Sequence, residues 1–204
     1  MINEVNSLGY RAPEFDTVDW KESIVAFGDS TTFGIGLDIE ETWAHKLSVL
    51  TNRPVINMGV PAGSNKISLY NQMALAEIEK PYAVVNNWTS TYRDVLWTGT
   101  EPIPHNIGAW SLDVPGMPKH YKEQLNAYFD LITAPKQRYN TQALIYRTSQ
   151  MLWKNTKYVE FTFFDDARDF FEVPFVKFVD TAYDESHPGP YTTTNTAKFI
   201  LENL

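Results

Sequence analysis

The sequence predicts an α/β protein built on a parallel sheet covered on both faces. Three observations lead there. Apolar runs of strand length recur at Ile24–Phe27, Val55–Gly59 and Tyr82–Trp88, and such runs read as buried parallel strands. Stretches with apolar residues at helical spacing alternate with them, which is the order of a doubly covered sheet. The 204 residues are 43% hydrophobic and 14% aromatic, enough for one domain with a substantial core.

Taken in order, residues 1–21 are irregular, with Gly9, Pro13 and mixed charge, and read as a leader that packs on the domain without joining the sheet. The first strand, Ile24–Phe27, stops at Gly28-Asp29-Ser30 and a turn rich in hydroxyls and glycine. Glu40–Leu50 reads as a helix with Trp43, Leu47 and Leu50 on one face, its acidic first turn suited to the helix dipole. Asn52-Arg53-Pro54 breaks it, and Val55–Gly59 is the second strand. Ser64 or Asn65 caps the next helix, Lys66–Glu79, which Pro81 ends. Tyr82–Trp88 is the third strand. Thr98–Pro118 shows no period and reads as a long loop or lid. Two helical stretches follow, the second over Tyr139–Lys154. Tyr158–Phe164 and Val176–Asp180 read as the last strands, and the stripe Ala197, Ile200, Leu201, Leu204 as a closing helix. The region from about 94 to 154 is a lid plus helical insertion within a single domain.

Composition narrows the function. A net charge of -8 without a Lys/Arg cluster argues against a nucleic-acid partner. The absence of cysteine removes thiolate catalysis and Cys-based metal sites. No basic, apolar signal segment opens the chain and no run of about 18 apolar residues spans a membrane, so the default expectation is cytoplasmic. The Gly28–Gly36 turn lacks the lysine of a phosphate-binding loop, and Ile39 stands where a dinucleotide fingerprint needs its third glycine. The four histidines are scattered, so no metal site is expected.

A serine at the carboxyl end of a strand lies where open α/β sheets bind ligands, which makes Ser30 a candidate nucleophile. Its hydroxyl needs a base. His45, His105 and His120 read as surface or structural residues. His187 follows the last strand in a turn, three residues after Asp184. A carboxylate at that spacing can hold Nδ1 of the imidazole and leave Nε2 as the base; a polar loop capping the last helix is the plainer reading. Candidate oxyanion donors are the N–H groups of Ser30 and Gly59, with a third from the Trp88–Arg93 loop.

Together these residues resemble the SGNH (GDSL-type) hydrolase family. Gly28-Asp29-Ser30 with Thr32 and Gly34 resembles its first block, Asn57-Met58-Gly59 its second, and Asp184-x-x-His187-Pro188 its last. Asn6–Arg11 resembles a leader found in some members, relatives of polysaccharide O-acetyltransferases among them. The resemblance implies a three-layer α/β/α sandwich with a flavodoxin-like sheet of about five parallel strands. It implies a carboxylic ester hydrolase needing no cofactor, with Ser30 as nucleophile, His187 as base and Asp184 as orienting residue. The oxyanion hole would be Ser30, Gly59 and, in place of the family's third-block asparagine, Thr89. Arg93 and Asn87 are candidate substrate-binding residues, with a surface ion pair as the alternative for Arg93. Acetyl or other short acyl esters of carbohydrate are the expected substrates. Tyr92, Trp97, Trp110 and Tyr121 are candidates either for stacking on sugar rings or for core packing. An O-acyltransferase and a carbohydrate-binding protein without turnover are the alternatives.

Overall fold

The computed structural model describes residues 5–96, 105–113 and 115–204. Four strands form the central sheet: β1 (Ile24–Gly28), β2 (Val55–Gly59), β3 (Ala83–Trp88) and β6 (Lys157–Thr162). Their spatial order is β2-β1-β3-β6 and every pairing is parallel. β1 is central and fully buried because all of its side chains except Gly28 are apolar on both faces. Ile24 and Ala26 face one layer, where they meet Trp43 and Leu47 of α2 (Trp43–Thr51) and Ala197 and Ile200 of α7 (Pro190–Asn203). Val25 and Phe27 face the other, packing with Leu75 of α3 (Asn65–Ile78) and with Trp153, which follows α5 (Pro135–Leu152). Each such buried side chain contributes roughly 1.5–3 kcal/mol. The fold is a three-layer α/β/α sandwich.

The strand expected at Val176–Asp180 does not form, so among the described residues the sheet has four strands where about five were expected. A single parallel bridge joins Phe175 to Thr162. Beyond it the backbone donors go elsewhere: the N–H groups of Val179 and Asp180 both donate to the Thr192 hydroxyl at the start of α7, at 2.9 and 3.2 Å. Asp180 then caps α7, its carboxylate accepting from the N–H groups of Tyr191 and Thr192. Pairing with β6 is thus confined to Thr162, which donates to the Pro174 carbonyl at 3.0 Å and accepts from the Val176 N–H at 2.9 Å.

The expected lid contains regular structure. β4 (Asp94–Leu96) and β5 (His105–Ile107) form an antiparallel pair, followed by a 3-10 turn at Ala109–Asp113 and α4 (Lys119–Thr133). Trp97 lies outside the described residues, as does part of the expected loop. A short helix unread from sequence, α6 (Asp165–Phe171), follows β6.

The leader packs beside the first strand through Tyr10, Phe15 and Trp20. Arg11, 5% exposed, sends its guanidinium to the carbonyls of Gly34 and Leu37, each at 2.9 Å. It thereby satisfies carbonyls of the turn that follows Ser30.

Candidate active site

The strand order reverses between β1 and β3, which is where doubly wound sheets open a crevice at their carboxyl ends. Gly28 ends β1 with φ +156°, and a Cβ there would lie 2.2 Å from the Thr32 hydroxyl. Only glycine permits so close an approach. Asp29 caps the four-residue helix α1 (Ser30–Phe33), accepting the Thr31 N–H at 3.0 Å and the Thr31 hydroxyl at 2.7 Å on Oδ1. Its Oδ2 accepts the Thr89 hydroxyl at 2.7 Å and the Arg93 guanidinium at 2.6 Å. Asp29 is 0% exposed. A buried carboxylate requires such donors to offset its lost hydration.

Ser30 is the first residue of α1 and 8% exposed. Among the described residues, neither its N–H nor its hydroxyl has a hydrogen-bond partner. On the far loop, Asp184 Oδ1 accepts the N–H groups of Ser186 and His187, both at 3.1 Å, and Oδ2 is hydrogen-bonded to His187 Nδ1. Burial pushes the Asp184 carboxyl up, but the hydrogen bonds from the His187 N–H, its ring and the Ser186 N–H outweigh this and hold it below the usual carboxylate range. Nε2 of His187 has no partner among the described residues. The two loops meet at Gly36, whose carbonyl accepts the Tyr183 N–H at 3.3 Å. Gly36 has φ +77°, and a Cβ there would lie 3.0 Å from Asp184 Oδ1. Ser30 and His187 are not hydrogen-bonded to each other in this structure.

The other expected site residues have different partners. Gly59 donates its N–H to Asn57 Oδ1 at 3.0 Å, and Asn57 also donates to the Thr32 carbonyl at 2.8 Å. Thr89 uses its N–H on Asn65 Oδ1 at 2.9 Å and its hydroxyl on Asp29. Two of the three expected oxyanion donors, Gly59 and Thr89, are therefore engaged, and among the described residues the Ser30 N–H is not. Asn87 does not reach outward: its Nδ2 braces α1 through the hydroxyls of Thr31 and Thr32, at 2.7 and 3.0 Å. Arg93 is neither a surface pair nor a free cation. It bonds buried Asp29 and lies over the rings of Phe164, at 4.8 Å, and Trp110, at 5.0 Å.

Sequence reading missed the supports of this site. Asn65 clasps the Thr89 backbone in both directions and donates to Gln142 Oε1, whose amide donates to the Thr91 carbonyl at 3.3 Å. Asp166 accepts from the N–H and hydroxyl of Thr91. The available signal was polar residues, Gln142 and Ser149, seven apart on the face α5 turns inward. A cavity of about 440 Å³ between the leader and α2, lined by Arg11, His45 and Asn57 among others, includes none of Ser30, Asp184 or His187. Among the described residues no group of three or more His, Asp or Glu side chains is placed to hold a metal ion, and no helix is long and apolar enough to cross a membrane.

No family model matches the sequence, and no curated protein matches it. Solved structures do match. A protein of the G-D-S-L lipolytic family from Desulfitobacterium hafniense superposes with a TM-score of 0.56 at 13% identity, over 90% of this chain and 100% of the other. TesA superposes with a TM-score of 0.52 at 14% identity, over 89% of this chain and 97% of its own. The acetyl xylan esterase Est2A from Butyrivibrio proteoclasticus gives 0.51 at 13% identity, over 90% of this chain and 63% of that one. At these identities the likeness is one of fold.

Proposed function

We propose, from the SGNH hydrolase fold as premise, that the chain is a serine carboxylic ester hydrolase. The observation that carries this reading is the Asp184–His187 pair. It fixes the imidazole through Nδ1, leaves Nε2 unengaged, and lies on the loop hydrogen-bonded to the turn that bears an equally unengaged Ser30. In this reading His187 Nε2 takes the Ser30 proton as Oγ attacks the ester carbonyl. The Ser30 N–H donates to the oxyanion of the tetrahedral intermediate. His187 then protonates the departing alcohol, and water activated by the same nitrogen releases the acid. Asp184, held ionised by its hydrogen bonds, stabilises the imidazolium between these steps.

With Gly59 and Thr89 engaged, the oxyanion has fewer fixed donors than the family pattern supplies. One such donor is worth about 2.7–4 kcal/mol of transition-state stabilisation, so turnover of simple esters is expected to be slow. An ester of a carbohydrate is the proposed substrate, supported by the leader's resemblance to polysaccharide-modifying relatives and by the fold shared with an acetyl xylan esterase. A fluorophosphonate probe followed by peptide mapping tests the chemistry. Labelling is expected on Ser30, lost in Ser30→Ala and at least a hundredfold slower in His187→Ala. An unlabelled wild-type protein that also fails to hydrolyse acetyl esters would sink the reading.

A further inference from the structure

A small cavity of about 10 Å³ lies where the loop after β3 meets the start of α5. Its wall includes Thr91, Tyr92, Arg93, Asp94, Arg138 and Gln142. Such a volume holds one occupant of the size of a water molecule. Two nitrogens of Arg138, Nε and Nη1, are buried and have no hydrogen-bond partner among the described residues. The guanidinium lies over the Tyr92 ring, 3.9 Å from its centroid, and among the described residues it is in no ion pair. Folded proteins pair their buried charges and bond nearly all their buried donors, so this arrangement calls for an occupant.

The other polar groups of the wall are already matched. Arg93 is paired with Asp29, and Asp94 with Lys66. Asp94 also accepts the Tyr128 hydroxyl at 3.3 Å. Gln142 accepts from Asn65 at 3.1 Å and donates to the Thr91 carbonyl at 3.3 Å. With those pairs neutral, Arg138 leaves the wall with one positive charge in excess. The helix it stands on adds to that charge. Arg138 is the fourth residue of α5, whose first turn holds no acidic residue and whose N-cap, Ala134, supplies no side-chain bond. A cation and the positive end of a helix dipole thus share one place with no counter-charge on that turn. A water molecule would accept from the two Arg138 nitrogens, but its own protons would meet carboxylate and amide oxygens that already accept from Lys66, Tyr128 and Asn65. A negatively charged acceptor that carries no proton suits both the charge and the donors.

We propose that this cavity is a binding site for a single small anion of the size of chloride, held by Nε and Nη1 of Arg138. A phosphate, sulfate or carboxylate group needs more room than one water molecule and does not fit. The bound anion fixes Arg138 against Tyr92, in the loop that also carries Arg93, the partner of Asp29. None of Ser30, Asp184 and His187 lines the cavity, and the proposal does not depend on ester hydrolysis.

Crystals soaked in sodium bromide test the occupant. An anomalous peak is expected within hydrogen-bonding reach of Arg138 Nε and Nη1. In solution, replacing sodium gluconate by sodium chloride at equal ionic strength is expected to raise Tm by about 2–4 °C, gluconate being too large to enter. In Arg138→Met that difference is expected to vanish, whatever the substitution does to Tm itself. Lys136→Gln removes a neighbouring exposed charge and is expected to keep the difference; its loss there would mean general charge screening and overturns the proposal. So does a cavity that holds water in the bromide-soaked crystals, or a chloride effect that persists in Arg138→Met. Bromide seen in the crystal with no chloride effect on melting is binding at crystal concentration only, and also overturns it. If Arg138→Met does not fold, the bromide peak and the wild-type chloride difference decide the matter.

Discussion

Asp29 shows how much one side chain organises here. Four donors from three residues converge on its carboxylate, and the farthest, Arg93, is 64 positions away. The pair is largely desolvated, since the Arg93 side chain is 15% exposed and that of Asp29 0%. Removing one partner of a buried pair leaves the other charge uncompensated, at a cost of about 3–5 kcal/mol, whereas removing both costs less. Asp29→Asn is therefore expected to lower the urea midpoint sharply, and Asp29→Asn with Arg93→Gln to be milder than the sum of the single changes. A double-mutant cycle by urea unfolding measures the coupling, and additive effects would show that the two side chains do not act as a pair. Sequence alone pointed to the position of Arg93 but not its role. Its partner was read only as the residue preceding a nucleophile, and nothing in local spacing shows that the loop after β3 folds back over the turn after β1.

At the scale of elements, the fate of Val176–Asp180 is instructive. Its apolar pattern is that of a strand, yet Asp180 at its end forms the cap of α7, and the cap wins because it satisfies N–H groups that the helix cannot pair itself. Burial pushes the Asp180 carboxyl up. The Thr192 hydroxyl, the Tyr191 and Thr192 N–H groups and the Lys46 charge together hold it below its ordinary value. A carboxylate depressed in the folded state stabilises above its unfolded pKa, about 3.9, and that contribution is lost as pH falls through the lower folded value. Asp184 adds a term of the same sign. In a thermal melting series from about pH 6 to pH 2, Asp180→Asn should lose stability less steeply than wild type below about pH 4. Parallel curves would mean that the cap is not ionised when folded. The better-read elements were β1, β2, β3, α3 and α7, where apolar spacing and breakers agree. α6 and the β4–β5 pair escaped notice because three- and seven-residue elements are too short to show a period.

Across the whole molecule, the sheet and its two helical layers were legible because burial on both faces writes a nearly unbroken apolar code into β1. The candidate site was legible in contacts between near neighbours, as in the hydrogen bond between Asp184 and His187. It was not legible where it depends on distant ones, as in Asn65 and Gln142, 77 positions apart. The same division has a consequence for how the molecule opens. Ser30 follows the central strand, paired on both sides with β2 and β3. His187 lies on a partly exposed loop outside the sheet; its backbone bonds run from Tyr183 to Gly36, from Ala182 to the His187 carbonyl, from Glu185 to Ala182 and from Gly189 to Asp180. Amides of β1 should exchange with deuterium only through global unfolding, those of residues 182–187 through a local opening of much lower free energy. Mild urea should then abolish Ser30 labelling while the sheet's circular dichroism is unchanged; coincident transitions would contradict this. Ser30 and His187 would belong to units of different lifetime, and the candidate site would exist only for as long as the shorter-lived one stays closed.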